Sequence, residues 1–207
     1  MKMNACAATA APSLHADALD VAPSWAHASG WAQLSGTRRT VSCVLTCSNQ
    51  APTLAKLLPF LSDTLTECGY PWEVIVVDIA SVDRTRALLA KWAALPGFQT
   101  LSLHAGAVPS NAFALGLYRA RGDAVIMLDA TLEHDPALIP RMIQKWEDQA
   151  RMVFAQHDPD AGTSRLVSWD DADVRRQAAG RDFPFPREAT ALGLLDRALL
   201  SEMMRVR

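Results

Sequence analysis

Two short apolar runs in this chain each end in a carboxylate. Glu73 leads into Val74-Ile75-Val76-Val77 and then Asp78. Asp123 leads into Ala124-Val125-Ile126-Met127-Leu128 and then Asp129. A continuous apolar run of this length, with turn residues on both sides, suits a strand buried on both faces of a parallel sheet. Ligands of open α/β sheets bind beyond the carboxyl ends of the strands. The pattern therefore puts Asp78 and Asp129 on the rim where a ligand docks.

The remaining periodicity fills in the elements around these two runs. Residues 40–45 predict a first strand. Leu54, Leu57, Leu58, Leu61 and Leu65 follow at helical spacing, with Pro59 expected to kink or restart that helix and Gly69 and Pro71 to end it. After the strand at 74–78 comes a helix over about 83–94, a turn at Leu95-Pro96-Gly97 and a third strand at 100–103. Residues 111–121 predict a short helix, 136–150 a longer one, and 152–155 and 166–169 two more strands. Residues 170–188, charged and carrying Pro184 and Pro186, read as loop, and 189–204 as a closing amphipathic helix. Strands alternating with helices give an α/β fold with a mainly parallel sheet. Residues 1–38 are rich in Ala and Ser and hold no sustained period. They read as a loosely ordered arm ahead of a single domain over 39–207, with Trp25 and Trp31 able to pack onto the domain or a partner as the alternative.

Composition narrows the function classes. The chain has 207 residues, is 50% hydrophobic and carries a net charge of −2, enough for one domain with a core. No Lys/Arg cluster marks a nucleic-acid surface, so no nucleic-acid partner is expected. No apolar run approaches the ~20 residues of a transmembrane helix. The N-terminal stretch, broken by Pro12, His15 and Asp17, lacks the apolar core of a signal peptide. Cys6, Cys43, Cys47 and Cys68 have no zinc spacing and read as buried free thiols of a reducing cytosol. The expected location is cytoplasmic, or peripheral to a membrane.

Four motifs in order then carry a resemblance. Val41-Ser42-Cys43-Val44-Leu45-Thr46-Cys47-Ser48-Asn49, Trp72 to Asp78 with Ser81-Val82-Asp83-Arg84-Thr85, Ala120-Arg121-Gly122-Asp123, and Asp129-Ala130-Thr131-Leu132-Glu133-His134-Asp135-Pro136 resemble the family-2 glycosyltransferases of the GT-A fold. Within them they are most similar to dolichyl- and polyprenyl-phosphate sugar transferases. Leu194-Leu195-Asp196-Arg197 is a weaker echo of a later family segment near the acceptor. The resemblance implies a UDP- or GDP-sugar donor, a polyprenyl-phosphate or other acceptor, and Mg²⁺ or Mn²⁺. It implies nucleotide binding by Asn49, Asp78, Ser81 and Asp83, with Asp78 at the base, and metal binding by Asp129 and His134. Asp83 is equally placed to cap the helix that follows it.

The chain also departs from the family pattern. Ile79 and Ala80 follow Asp78 where the family writes Asp-Gly. Thr131 stands at the second acid of Asp-x-Asp, Gln50 follows Asn49 where an acid is usual, and Ala191 takes the place of an acceptor-side Asp. No residue stands out as the general base that transfer to an alcohol requires, whereas a phosphate acceptor is already anionic. Two readings stay open: an inverting glycosyltransferase of weak activity, or a pseudoenzyme that binds a nucleotide or a protein partner without turnover. A nucleotidyltransferase is disfavoured, since the Gly-rich Arg/Lys loop of such enzymes is missing after the first strand.

Overall fold

The computed structural model describes residues 39–107, 109–130, 135–158, 163–178 and 192–205. The arm at 1–38, with Trp25 and Trp31, lies outside the described residues, as do Thr131, His134 and Ala191. Among the described residues one seven-stranded sheet runs in the order β3-β2-β1-β4-β7-β5-β6. Its strands are β1 (Val41–Cys47), β2 (Trp72–Ile79), β3 (Phe98–Leu103), β4 (Ala124–Asp129), β5 (Met152–Asp158), β6 (Thr163–Trp169) and β7 (Leu192–Asp196). The helices are α1 (Ala51–Glu67), α2 (Thr85–Ala93), α3 (Pro109–Arg119), α4 (Ile139–Glu147), α5 (Asp171–Ala178) and α6 (Arg197–Arg205).

β1 lies between β2 and β4, pairs in parallel with both, and has every residue buried. Alternating side chains feed two cores. Cys43, Leu45, Val74, Val76, Ile126 and Leu128 pack with α1 and α4 on one face. Val44, Ile75, Val77, Val125 and Met127 pack with Ala112 of α3 and Leu199 of α6 on the other.

The expected α/β fold holds, with a mixed sheet: β3, β2, β1 and β4 are parallel, whereas β7, β5 and β6 are joined by antiparallel pairs. Three other expectations change. The helix does not restart at Pro59: the chain runs through it as one 17-residue helix. A mid-helix proline costs about 3 kcal/mol, but Leu54, Leu57, Leu58, Leu61 and Leu65 are all buried on this helix at roughly 1.5–3 kcal/mol each. The proposed loop at 170–188 opens with α5, where Asp173 N donates to Asp170 Oδ1 (2.8 Å) and Asp170 N to Asp173 Oδ2 (3.2 Å). That reciprocal cap satisfies two orphan amides and starts a helix. The proposed helix at 189–204 divides into β7 and α6. Leu192-Gly193-Leu194-Leu195 is a short apolar run that periodicity alone cannot assign. The open edges of β4 and β5 pair with it on both sides and make it a strand.

Candidate functional site at the strand ends

The carboxyl ends of β1, β2 and β4 lie side by side. In register, Cys47 faces Asp78 across β1 and β2, and Thr46 faces Asp129 across β1 and β4. Asp78 and Asp129 are thus two strand spacings apart, roughly 10 Å. Because Thr46 and Cys47 point to opposite faces, the alternation sends Asp78 toward the α1 and α2 face and Asp129 toward the α3 face.

The loops after β1 and β2 hold each other. Ser48 Oγ donates to Ile79 O (2.9 Å), Asn49 N to Ser81 Oγ (2.8 Å), and Gln50 N to Thr85 Oγ1 (3.0 Å). In return Val82 N and Asp83 N donate to Asn49 Oδ1 at 2.8 and 3.3 Å. Asn49 and Ala80 adopt φ of 53° and 51°, a left-handed backbone that non-glycine residues take only where surrounding bonds enforce it. Asp83 Oδ1 accepts from Thr85 N (2.9 Å) and its Oδ2 from Ala51 N (3.4 Å), so one carboxylate serves the first turns of α1 and α2. The hydrogen bond from the Thr85 side chain, with those from the Thr85 and Ala51 amides, holds the Asp83 carboxyl below its ordinary range.

Asn49, Ser81 and Asp83 are therefore brought together with Asp78, as the motif order implied, and each is engaged in stitching the two loops. Asp78 is 1% exposed. Its Oδ1 accepts from Ser81 N (3.2 Å), and its Oδ2 pairs with Nε of Arg86 at 3.4 Å. Asp129 ends β4 half-buried, and the next amide, Ala130 N, donates to Thr46 O (3.1 Å). Cys47, the last residue of β1, carries a buried thiol on the same face as Asp78. It is pushed up to about 12 by burial first and then by the charges of Asp78, Asp83 and Asp129. Cys43 is raised to about 12 by burial alone, and Cys68 is half-buried; all three are free thiols.

Among the described residues no group of three His, Cys, Asp or Glu side chains gathers around a metal position. Asp129 is the described member of the expected metal pair, and its partner His134 lies outside the described residues. One strand-end carboxylate is a chemically adequate protein ligand for Mg²⁺ or Mn²⁺ when substrate phosphates and water complete the sphere.

Asp196 and Arg197 go elsewhere. β7 is antiparallel to β4, so Leu192 pairs with Leu128 at the site end while Asp196 pairs with Ala124 at the opposite end of the sheet. There Asp196 accepts from Trp146 Nε1 (3.0 Å), caps α6 through Ala198 N (3.0 Å) and pairs with Arg151 Nε at 3.2 Å. Arg197 Nε donates to Gly122 O (2.8 Å). This pair is remote from an acceptor at the strand ends. Sequence reading also missed Arg86, because a partner eight residues from Asp78 across a loop and a helix start leaves no periodic signal.

Strand order and comparison agree on the class: a glycosyltransferase-like domain of the GT-A fold. Glycosyl transferase family 2 matches the chain over residues 42–193. The chain belongs to that family. The undecaprenyl-phosphate 4-deoxy-4-formamido-L-arabinose transferase of Pectobacterium carotovorum subsp. carotovorum (strain PC1) is 33% identical over 108 residues, covering 51% of this chain and 33% of that protein. The uncharacterized glycosyltransferase YkcC of Bacillus subtilis (strain 168) is 24% identical over 168 residues, covering 80% of this chain and 52% of its own length. The chain thus spans between a third and about half of these relatives. In fold it is similar to the mannosyltransferase PcManGT from Pyrobaculum calidifontis, solved with GDP-Man and Mn²⁺ (TM-score 0.53, 24% identity, 81% of this chain and 47% of that one). It is also similar to mannosyl-3-phosphoglycerate synthase from Rubrobacter xylanophilus (TM-score 0.55, 23% identity, 78% of this chain and 55% of that one).

Proposed function

We propose that this chain is the donor-binding domain of an inverting glycosyltransferase. It takes a UDP- or GDP-sugar with Mg²⁺ or Mn²⁺ and transfers the sugar to a polyprenyl phosphate or a related acceptor. The observation that carries the reading is Asp129 at the end of β4, beside the interlocked loops after β1 and β2, on the rim of the parallel half of the sheet. Asp129 would hold the metal, with His134 as a second ligand, and a divalent ion there supplies charge against the departing diphosphate. Asn49, Ser81 and Asp83 shape the donor pocket through the loops they lock, and Asp78 lies under its base end. A polyprenyl phosphate brings its own anionic nucleophile, so the missing general base is no obstacle. Relatives named as undecaprenyl-phosphate transferases support that acceptor. Such an acceptor sits in a bilayer, so the domain would work at a membrane surface; no helix among the described residues is long and apolar enough to cross one.

Calorimetry with GDP and UDP, with and without Mn²⁺, tests this. The parent should bind in a metal-dependent way. Asp129→Asn should lose the metal dependence with its melting temperature nearly unchanged. Unchanged nucleotide affinity and metal response in that variant would remove Asp129 from the site.

A second reading, a domain that binds without turnover, is favoured by one observation. Asn49, Ser81, Asp83 and Asp78 already satisfy one another and their loop amides, so the loops keep their shape for a structural reason alone. Nucleotide binding that is indifferent to metal and accompanied by no sugar transfer would select it.

A further inference from the structure

A residue that reads the imide N–H of uracil must present a carboxylate oxygen to the cleft. Asp78 does not. It is 1% exposed, with Oδ1 taken by Ser81 N and Oδ2 by Arg86 Nε. What reaches the surface at this strand end is its partner. Arg86 stands in the first turn of α2 and is 61% exposed. Among the described residues only its Nε is engaged, which leaves the two terminal nitrogens as outward donors. Val82, four residues earlier in the loop that leads into α2, is an apolar side chain 90% exposed, its amide anchored to Asn49 Oδ1.

We propose that Arg86, not Asp78, contacts the nucleobase, that Asp78 is the buried positioning residue aiming the guanidinium, and that the base is guanine. This rests on the nucleotide-sugar reading above. A guanidinium edge offers parallel donors and no acceptor. Guanine answers it with two adjacent acceptors, O6 and N7, the pairing arginine makes most often with a base. Uracil has no such adjacent pair, and its imide N–H would face another donor. Arg86 lies on the β2 side of the site, about two strand spacings from Asp129. A diphosphate held at Asp129 would then extend its nucleoside toward Arg86, with Val82 available to the face of the ring.

The test is equilibrium binding of GDP and UDP to the full chain with Mn²⁺ present, for the parent, Arg86→Ala, Arg86→Lys and Asp78→Asn. The parent should prefer GDP. Arg86→Ala should weaken GDP by roughly 5- to 150-fold, the range for losing a bidentate base contact, and leave UDP nearly unchanged, so the preference collapses. Arg86→Lys should recover only part of it, since an ammonium cannot make the paired contact. Asp78→Asn should narrow the GDP-to-UDP ratio without abolishing binding of either, a change that a merely structural role would not produce. Should that variant fail to fold, the exposed Arg86 variants still decide. A parent that prefers UDP, or an Arg86→Ala protein that binds GDP as the parent does, overturns the proposal and leaves the nucleotide-sugar reading standing. A parent that binds neither nucleotide overturns both.

Discussion

Glu73 lies near the start of the strand that carries Asp78 near its end, yet it serves stability at the far end of the sheet. It is 3% exposed, and its carboxylate accepts from Ser42 Oγ (2.6 Å), Arg121 N (2.7 Å) and Gln99 Nε2 (2.9 Å). Ser42 Oγ in turn accepts from Gly122 N (2.7 Å), which ties β1 and β2 to the turn before β4. Glu73→Gln keeps one acceptor oxygen for Ser42 Oγ and Arg121 N but turns the other into a donor toward Gln99, whose amide must reverse to accept. With the charge-assisted bonds lost it should lower stability by about 1–3 kcal/mol, with Glu73→Ala costing more. Urea unfolding measures this; a Glu73→Gln midpoint equal to the parent's would show that the network contributes nothing. The thiols make a second residue-scale case. Cys43 and Cys47 are raised to about 12, chiefly by burial. A thiol whose folded value is raised contributes stability that is complete below its unfolded value, about 8.5, and is lost as pH rises toward 12. Replacing Cys43 and Cys47 by Ala should therefore flatten the fall in stability between about pH 9 and 12. Alkylation at pH 8, followed by peptide mapping, should find both thiols unmodified in the folded protein; rapid labelling of either would contradict their burial.

At the scale of elements, the seating of α3 on β1 and β2 depends on an absent side chain. A Cβ on Gly116 would run into Val44 Cγ1 and also approach Val77 Cγ2. Val44 is wholly buried and has nowhere to go. Gly116→Ala gains about 1 kcal/mol of helix propensity but overpacks the interface at a cost of about 1–3 kcal/mol, so the net effect should be destabilising. Combining it with Val44→Ala should recover much of that loss, because the two positions share one space. Thermal melts of the two single variants and the double variant check this: strictly additive losses would mean that the helix does not seat on Val44.

For the whole molecule the question is turnover. The chain keeps Asp129 but has Thr131 and Ala191 where the resembling family has acids. Leu192, the residue after Ala191, pairs with Leu128, so that segment enters the sheet at the site end. A metal held by one protein carboxylate, with no acceptor-side acid, should give slow transfer or none. Thr131→Asp together with Ala191→Asp should raise donor hydrolysis or transfer above the parent, read as nucleotide diphosphate released from GDP- or UDP-sugar with polyprenyl phosphate and Mn²⁺. Robust transfer by the parent alone would show that the lost acids are not needed.

Much of this was legible in the sequence. The apolar runs before Asp78 and Asp129 need burial on both faces, and only a covered parallel sheet supplies it, so β1, β2, β4 and the family resemblance followed from local pattern. Asn49, Ser81, Asp78 and Asp83 could be grouped because they lie within a few residues of two strand ends. Other features depended on neighbours that no local pattern names. β7 is a strand because the edges of β4 and β5 stand open to it, and its antiparallel direction carries Asp196 away from the site. α1 stays whole through Pro59 because five buried leucines outweigh one lost hydrogen bond. The burial of Asp78 beneath Arg86 depends on how far α2 leans over the end of β2, a distance that only packing sets.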